Sequence, residues 1–177
     1  MHCDNAGPPL TLNGVVKDDW ASFLRARVDA IDPPLLSGLA ASGWKLVYTD
    51  KPSAYEKQYD SRPEPARHLY NFAWSIGLTM NKQGEVNDVR WNGPAFKAHV
   101  STGATLVSVN GQAYTRDVLK DAIAAAKTSK SPIQLLLKYQ GGYRTVSVDY
   151  HGGLQYPHLE RIEGTPDYLS EMIAVRK

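Results

Sequence analysis

Few side chains in this 177-residue chain are able to do covalent or metal chemistry, and their spacing excludes more than it suggests. Zinc held beside a general base would need His-Glu-x-x-His, two histidines one helical turn apart with a glutamate between them. None of the five histidines opens such a run. Cys3 is the single cysteine, so no internal disulfide forms, and no Cys–His pair is placed for nucleophilic catalysis. No glycine-rich phosphate loop follows a strand. His151, His158 and Glu160 could approach a metal, but their spacing matches no compact ligand pattern. Histidines beside Gly-Gly and Pro more often serve turns and backbone hydrogen bonds. No catalytic residue, metal ligand or cofactor is therefore assigned to this chain.

Charge narrows the partners. Twenty Lys and Arg stand against eighteen Asp and Glu, interspersed along the chain, for a net charge of +2. That leaves no basic footprint for nucleic acid and no polybasic segment for an anionic membrane. No apolar run reaches the roughly 18 residues of a membrane span, and none precedes Cys3 as lipid attachment would require.

The elements that position any functional residue fall into two unlike parts. In the first, Asp18 or Asp19 caps a helix through Trp20–Val28, with Trp20, Phe23, Leu24 and Val28 at helical spacing. Asp32-Pro33-Pro34 stops it. A shorter helix starts near Pro34, covers Leu35, Leu36 and Leu39, and stops at Gly43. Residues 44–49 alternate as a strand. The run from Asp60 to Pro65, with two prolines in three residues, is the clearest boundary. In the second part, residues 72–80 read as one strand interrupted by Gly77, and 86–91 as the next. A helical turn follows at Gly93-Pro94, then a strand over 105–109 closed by Asn110-Gly111. Asp117 is expected to cap a helix over 118–127, and 133–139 is an apolar central strand. Gln140-Gly141-Gly142 turns that strand into 143–150 as a hairpin.

This order, with Ser75-Ile76-Gly77-Leu78, Gly93-Pro94-Ala95, Gly103 and Leu106-Val107-Ser108-Val109-Asn110-Gly111, resembles a PDZ domain. The resemblance implies an α+β fold, a PDZ-like partly open barrel or sandwich of five to six short strands. One long and one short helix belong to it, and a small helical segment precedes it. It implies that the N–H groups around Ile76, Gly77 and Leu78 converge on a terminal carboxylate, and that the following strand accepts an extended peptide as an added strand. The binding residues are then Ser75, Ile76, Gly77, Leu78, Thr79 and Met80. If Ile123 packs inward, Val118, Ala122 and Ala125 of the helix join them; a one-residue shift would place Leu119 there instead. Either lining is apolar. Many eukaryotic PDZ domains carry a histidine at this helix start, and the ligand class it selects is not implied for Val118 or Leu119. A plainer reading of Gly77 is a bulge in a core strand.

A wider resemblance covers nearly the whole chain. It rests on Asp19-Trp20 with Phe23-Leu24-Arg25, on the run from Ser42 to Thr49, and on Asp88-Val89-Arg90-Trp91 with Gly93 to Lys97. Tyr150-His151-Gly152-Gly153-Leu154 with Tyr156 to Glu160 completes it. These segments are similar to the C-terminal region of bacterial M61-type (glycyl) aminopeptidases, in which a zinc-dependent catalytic domain precedes a PDZ domain. The resemblance implies that residues 1–68 are the end of a catalytic domain, 69–150 the PDZ-like domain and 151–177 an extension packed on it. Zinc would belong to the parent's catalytic domain, and the setting would be the bacterial cell envelope. The expected function is recognition of extended peptides or protein C-termini, presenting substrate or regulating access, with the parent domain as a second partner. The alternative is a structural brace whose groove is filled by the chain itself, for instance by residues 53–60 or the tail beyond Tyr150.

Overall fold

The computed structural model describes residues 11–29, 36–60 and 69–174. Cys3, the Asp32-Pro33-Pro34 stop, the start of the second helix and the boundary run beyond Asp60 lie outside them. In chain order the elements are α1 (Trp20–Val28), α2 (Ser37–Ala41), β1 (Trp44–Thr49), α3 (Ala54–Asp60), β2 (Leu69–Phe72) and β3 (Leu78–Asn81). They continue with β4 (Val86–Val89), α4 (Pro94–Lys97), β5 (Thr105–Val109), β6 (Gln112–Ala113), α5 (Arg116–Ser129), β7 (Ile133–Tyr139), β8 (Gly142–Val148), β9 (Tyr156–Arg161) and α6 (Tyr168–Ile173). Two compact units divide the chain: Leu46–Glu160, and Met1–Lys45 with Arg161–Lys177.

In the larger unit, one sheet runs β2-β3-β4 and a second runs β6-β5-β7-β8; β1 and β9 pair separately. This is an α+β arrangement of open sheets, with no closed barrel among the described residues. Period-two burial builds its core: Ile133, Leu135 and Leu137 of β7 and Leu78 and Met80 of β3 are each no more than 1% exposed. The α5 helix adds Leu119, Ala122, Ile123 and Ala126, the i, i+3, i+4, i+7 stripe of an amphipathic helix. The apolar 133–139 run is central, between β5 and β8. Its hairpin turns on Gln140 and Gly141, both with positive φ (48° and 80°), as a two-residue loop between right-twisted strands favours.

Two local expectations are corrected. The α5 cap is Thr115, whose extended backbone lets its Oγ1 accept the Val118 N–H at 3.1 Å. Asp117 instead lies inside the first turn, where a carboxylate suits the helix dipole. Residues 72–80 form no single strand. Leu69–Phe72 and Leu78–Asn81 pair antiparallel, with Leu69 opposite Asn81, Tyr70 opposite Met80, Asn71 opposite Thr79 and Phe72 opposite Leu78. The reversal is local: Asn71 Oδ1 accepts the Ala73 N–H at 2.9 Å, and Gly77 takes φ +82°, a conformation that opposes a Cβ. With β2 separate and the two-residue β6 counted, residues 69–150 hold seven strands; besides β2, five of them are longer than β6 and pair within the two main sheets.

In the smaller unit, Asp19 caps α1 by accepting the Ser22 N–H at 3.0 Å. Trp20 meets Phe23 edge-on at 5.7 Å, yet no residue of α1 is buried and Phe23 and Val28 are exposed. Trp44 donates its indole N–H to Asp167 at 2.7 Å, and Asp167 caps α6. The indole hydrogen bond, ahead of the cap itself and the nearby Arg161, holds the Asp167 carboxyl below its usual pKa.

Candidate peptide-binding groove

The loop from Ala73 to Gly77 presents two backbone N–H groups to a single oxygen. Ser75 and Gly77 donate to the Phe72 carbonyl at 3.1 and 3.0 Å. The loop's own carbonyls are engaged elsewhere: Ile76 O accepts from Ala95 N at 2.9 Å, and Gly77 O from Arg90 N at 2.9 Å. Ser75 is 5% exposed, and its Oγ accepts the Gln155 N–H at 3.1 Å, fastening the loop to the segment before β9. Gly77 packs against Gly93, whose Cα lies 3.5 Å from where a Gly77 Cβ would stand. Beside this loop Trp74 carries the Arg90 guanidinium at 4.9 Å from its ring centre and meets Tyr48 at 5.4 Å.

Both edges of β3 are paired. The β4 strand lies on one side, and β2 lies along the edge expected to be open. Alternation along β2 turns Phe72 (3% exposed) into the core and leaves Tyr70 half-buried, while Leu69 and Asn71 are exposed. Arg116, the first residue of α5, sets its guanidinium 4.4 Å from the Tyr70 ring centre. Beneath this pair the Tyr114 hydroxyl is buried with no hydrogen-bond partner among the described residues. Burial, then the neighbouring Tyr70, pushes its pKa up to about 12, with Arg116 opposing. On the outer face of β2 a cavity of about 490 Å³ is walled by Tyr55 and Tyr59 of α3, by Leu69, Asn71 and Arg116, and by Tyr156 of β9.

The residues expected to bind peptide do not form one lining. Ser75 to Met80 lie together at the loop and along β3, and among them Thr79 reaches the 490 Å³ cavity. Val118, Ala122 and Ala125 line a different cavity of about 210 Å³ with Val109, Asn110 and Gln112, to which none of Ser75 to Met80 contributes. Leu119 and Ile123 are both fully buried in the core. Sequence reading missed β2 as a separate strand, Arg116 as the α5 residue beside it, and α3. The alternating Leu69-Tyr70-Asn71-Phe72 was the available signal for β2. The histidines serve backbone and turn contacts: His151 Nδ1 lies 3.0 Å from Ala126 O and its Nε2 2.8 Å from Asp149, and His158 Nε2 lies 2.8 Å from Lys51 O. Among the described residues, no three His, Cys, Asp or Glu side chains gather as metal ligands.

No known family's sequence profile matches the chain, and no curated protein matches it by sequence. Among solved structures, an aminopeptidase N family protein from Idiomarina loihiensis matches over 94% of this chain and 28% of its own length. The TM-score is 0.54 and the identity 15%. At that identity the likeness shows a shared fold and nothing further. An HtrA3 PDZ domain bound to a phage-derived ligand (FGRWV) matches 67% of this chain and 91% of its own, with TM-score 0.32 and 16% identity.

Proposed function

We propose that residues 69–150 form a non-catalytic peptide-recognition module that binds extended peptides or protein C-termini by strand addition. The observation that carries this reading is the Phe72 carbonyl held by the Ser75 and Gly77 N–H groups at the end of a strand laid antiparallel on β3. The loop N–H groups are thus able to converge on one oxygen at the end of an antiparallel strand, as strand addition of a chain end would require. Residues 1–68 are the end of a zinc-dependent catalytic domain of the M61 aminopeptidase type, and 151–177 an extension. The module presents substrate to that domain or regulates access to it. The exposed apolar side chains of α1 and the match to a longer aminopeptidase-family chain support such a parent. Without a His-Glu-x-x-His run, these residues do not suit catalytic zinc, and no chemical step is assigned to them.

A second reading is favoured by the burial of Phe72: the groove is permanently filled and the unit is a brace. Titration of the chain with C-terminal peptides, followed by amide NMR, separates the two. Shifts clustered at Ser75 to Met80 are expected for recognition. Silence across a diverse library overturns it and leaves the brace.

A further inference from the structure

We propose that β8 is a docking edge for a second copy of this chain, the two strands pairing antiparallel about Thr145 and joining their sheets. This surface is independent of the β3 groove. The strand ends the β6-β5-β7-β8 sheet, and among the described residues no strand lies on its outer side. It pairs with β7 over seven consecutive residues, from Gly142 opposite Tyr139 to Val148 opposite Ile133, without a register shift. Tyr139 and Gly142 flank the two-residue turn and so form a hydrogen-bonded pair, from which the bonding alternates. Arg144, Val146 and Val148 therefore direct their backbone groups at β7. Tyr143, Thr145 and Ser147 direct theirs outward, and all three residues are exposed.

Exposed sheet edges are ordinarily blunted by brevity, charge, proline or a bulge. The other edges of the two main sheets follow this rule. The β6 strand has two residues, β2 and β4 have four each, and β4 meets β3 through a register shift. The β8 run, Gly-Tyr-Arg-Thr-Val-Ser-Val, has no proline and carries a single charge, and its aromatic and β-branched residues favour strand. That charge is drawn off the edge, because the Arg144 guanidinium donates to the His99 carbonyl just after α4. The strand's own register argues for a copy of itself as the occupant. Thr145 is the fourth of the seven residues, so a two-fold axis there matches the whole strand to its copy. Tyr143 then faces Ser147, Arg144 faces Val146, and no like charges meet. An axis at Arg144 would set two guanidinium groups directly opposite, which is destabilising, and one at Val146 would pair only residues 144–148. Centred on Thr145, every outward N–H and C=O of Tyr143, Thr145 and Ser147 meets a complementary group, and the contact closes after two copies.

The test follows the mass of the full chain by sedimentation velocity across a concentration series. Wild type is expected to move from monomer toward dimer as concentration rises. Thr145→Pro removes an outward N–H and spares the β7 ladder, as proline on an edge strand can. It should keep the wild-type circular dichroism, while each copy loses a hydrogen bond across the axis and the dimer weakens about tenfold or more. A second variant reads the register and decides alone if Thr145→Pro fails to fold. Thr145→Cys in a Cys3→Ser background brings two thiols together across the axis, where paired Cα atoms stand about 5.5 Å apart, within disulfide reach. On mild oxidation it should cross-link about tenfold or more faster than Asp88→Cys, an exposed position of β4, in the same background. Equal dimerisation by wild type and a folded Thr145→Pro, or equal cross-linking by the two cysteine variants, would overturn pairing through this edge. A monomer at every concentration would overturn self-pairing, and amide shifts at Tyr143 and Thr145 during peptide titration would then assign the edge to a peptide instead.

Discussion

Tyr114→Phe removes a single atom whose cost can be worked from its surroundings. The hydroxyl is buried without a hydrogen-bond partner among the described residues, while the ring packs against the core. A buried polar group left unsatisfied costs about 1–3 kcal/mol. The residue is only partly buried, so the low end applies, and Tyr114→Phe should stabilise the chain by about 1 kcal/mol. For a chain of this size that raises Tm by roughly 2–4 °C. The same hydroxyl sets a pH dependence. Its folded pKa of about 12 exceeds the ordinary tyrosine value of 10, so the unfolded chain gives up the proton first. The associated stability is fully present below pH 10 and is lost as pH rises from 10 through 12. That difference corresponds to about 2.7 kcal/mol, which partial solvent exposure reduces to roughly 1–2 kcal/mol. Urea melts of wild type and variant at pH 7, 9.5 and 11 measure both effects. The variant should be more stable at pH 7, and its advantage should widen at pH 11. A variant less stable at pH 7, or a gap that does not move with pH, would refute the reasoning by showing that the hydroxyl is well solvated or bonded.

Three further substitutions probe the loop before β3 and the start of α5. Gly77→Ala places a Cβ on a residue at φ +82° and should cost about 1–2 kcal/mol in denaturant unfolding; no loss would mean that the loop relaxes freely. Thr115→Ala should cost about 1 kcal/mol through the lost α5 cap, whereas Asp117→Ala should cost no more than a few tenths to 1 kcal/mol through the helix dipole; the reverse ranking would restore Asp117 as the cap.

The groove was only half legible in the sequence. The Ser75 to Leu78 motif pointed at the loop because its glycine has a backbone requirement that is visible in one letter. The partner of the loop was not visible. Leu69 to Phe72 alternates as many short strands do, and nothing local says which edge it joins. The lining of α5 was ambiguous for a related reason. Val118, Ala122 and Ala125 share one side of the helix, but only the packing reveals that this side meets the β5–β6 turn. The α3 helix went unread because Ala54-Tyr55-Glu56-Lys57-Gln58-Tyr59 carries no apolar stripe; Ser53 and Glu56 start it through a reciprocal cap instead.

By itself the sequence determined those features whose cause is local. The α5 stripe comes from helical periodicity, and the β7–β8 hairpin from two residues that tolerate positive φ. Tertiary structure alone decided what sits on the free edge of β3. Edge pairing is a contest between segments distant or adjacent in the chain, settled by which strand buries its inward side chains and satisfies the loop donors. Here Phe72 does both, placing its ring in the core and its carbonyl on Ser75 and Gly77.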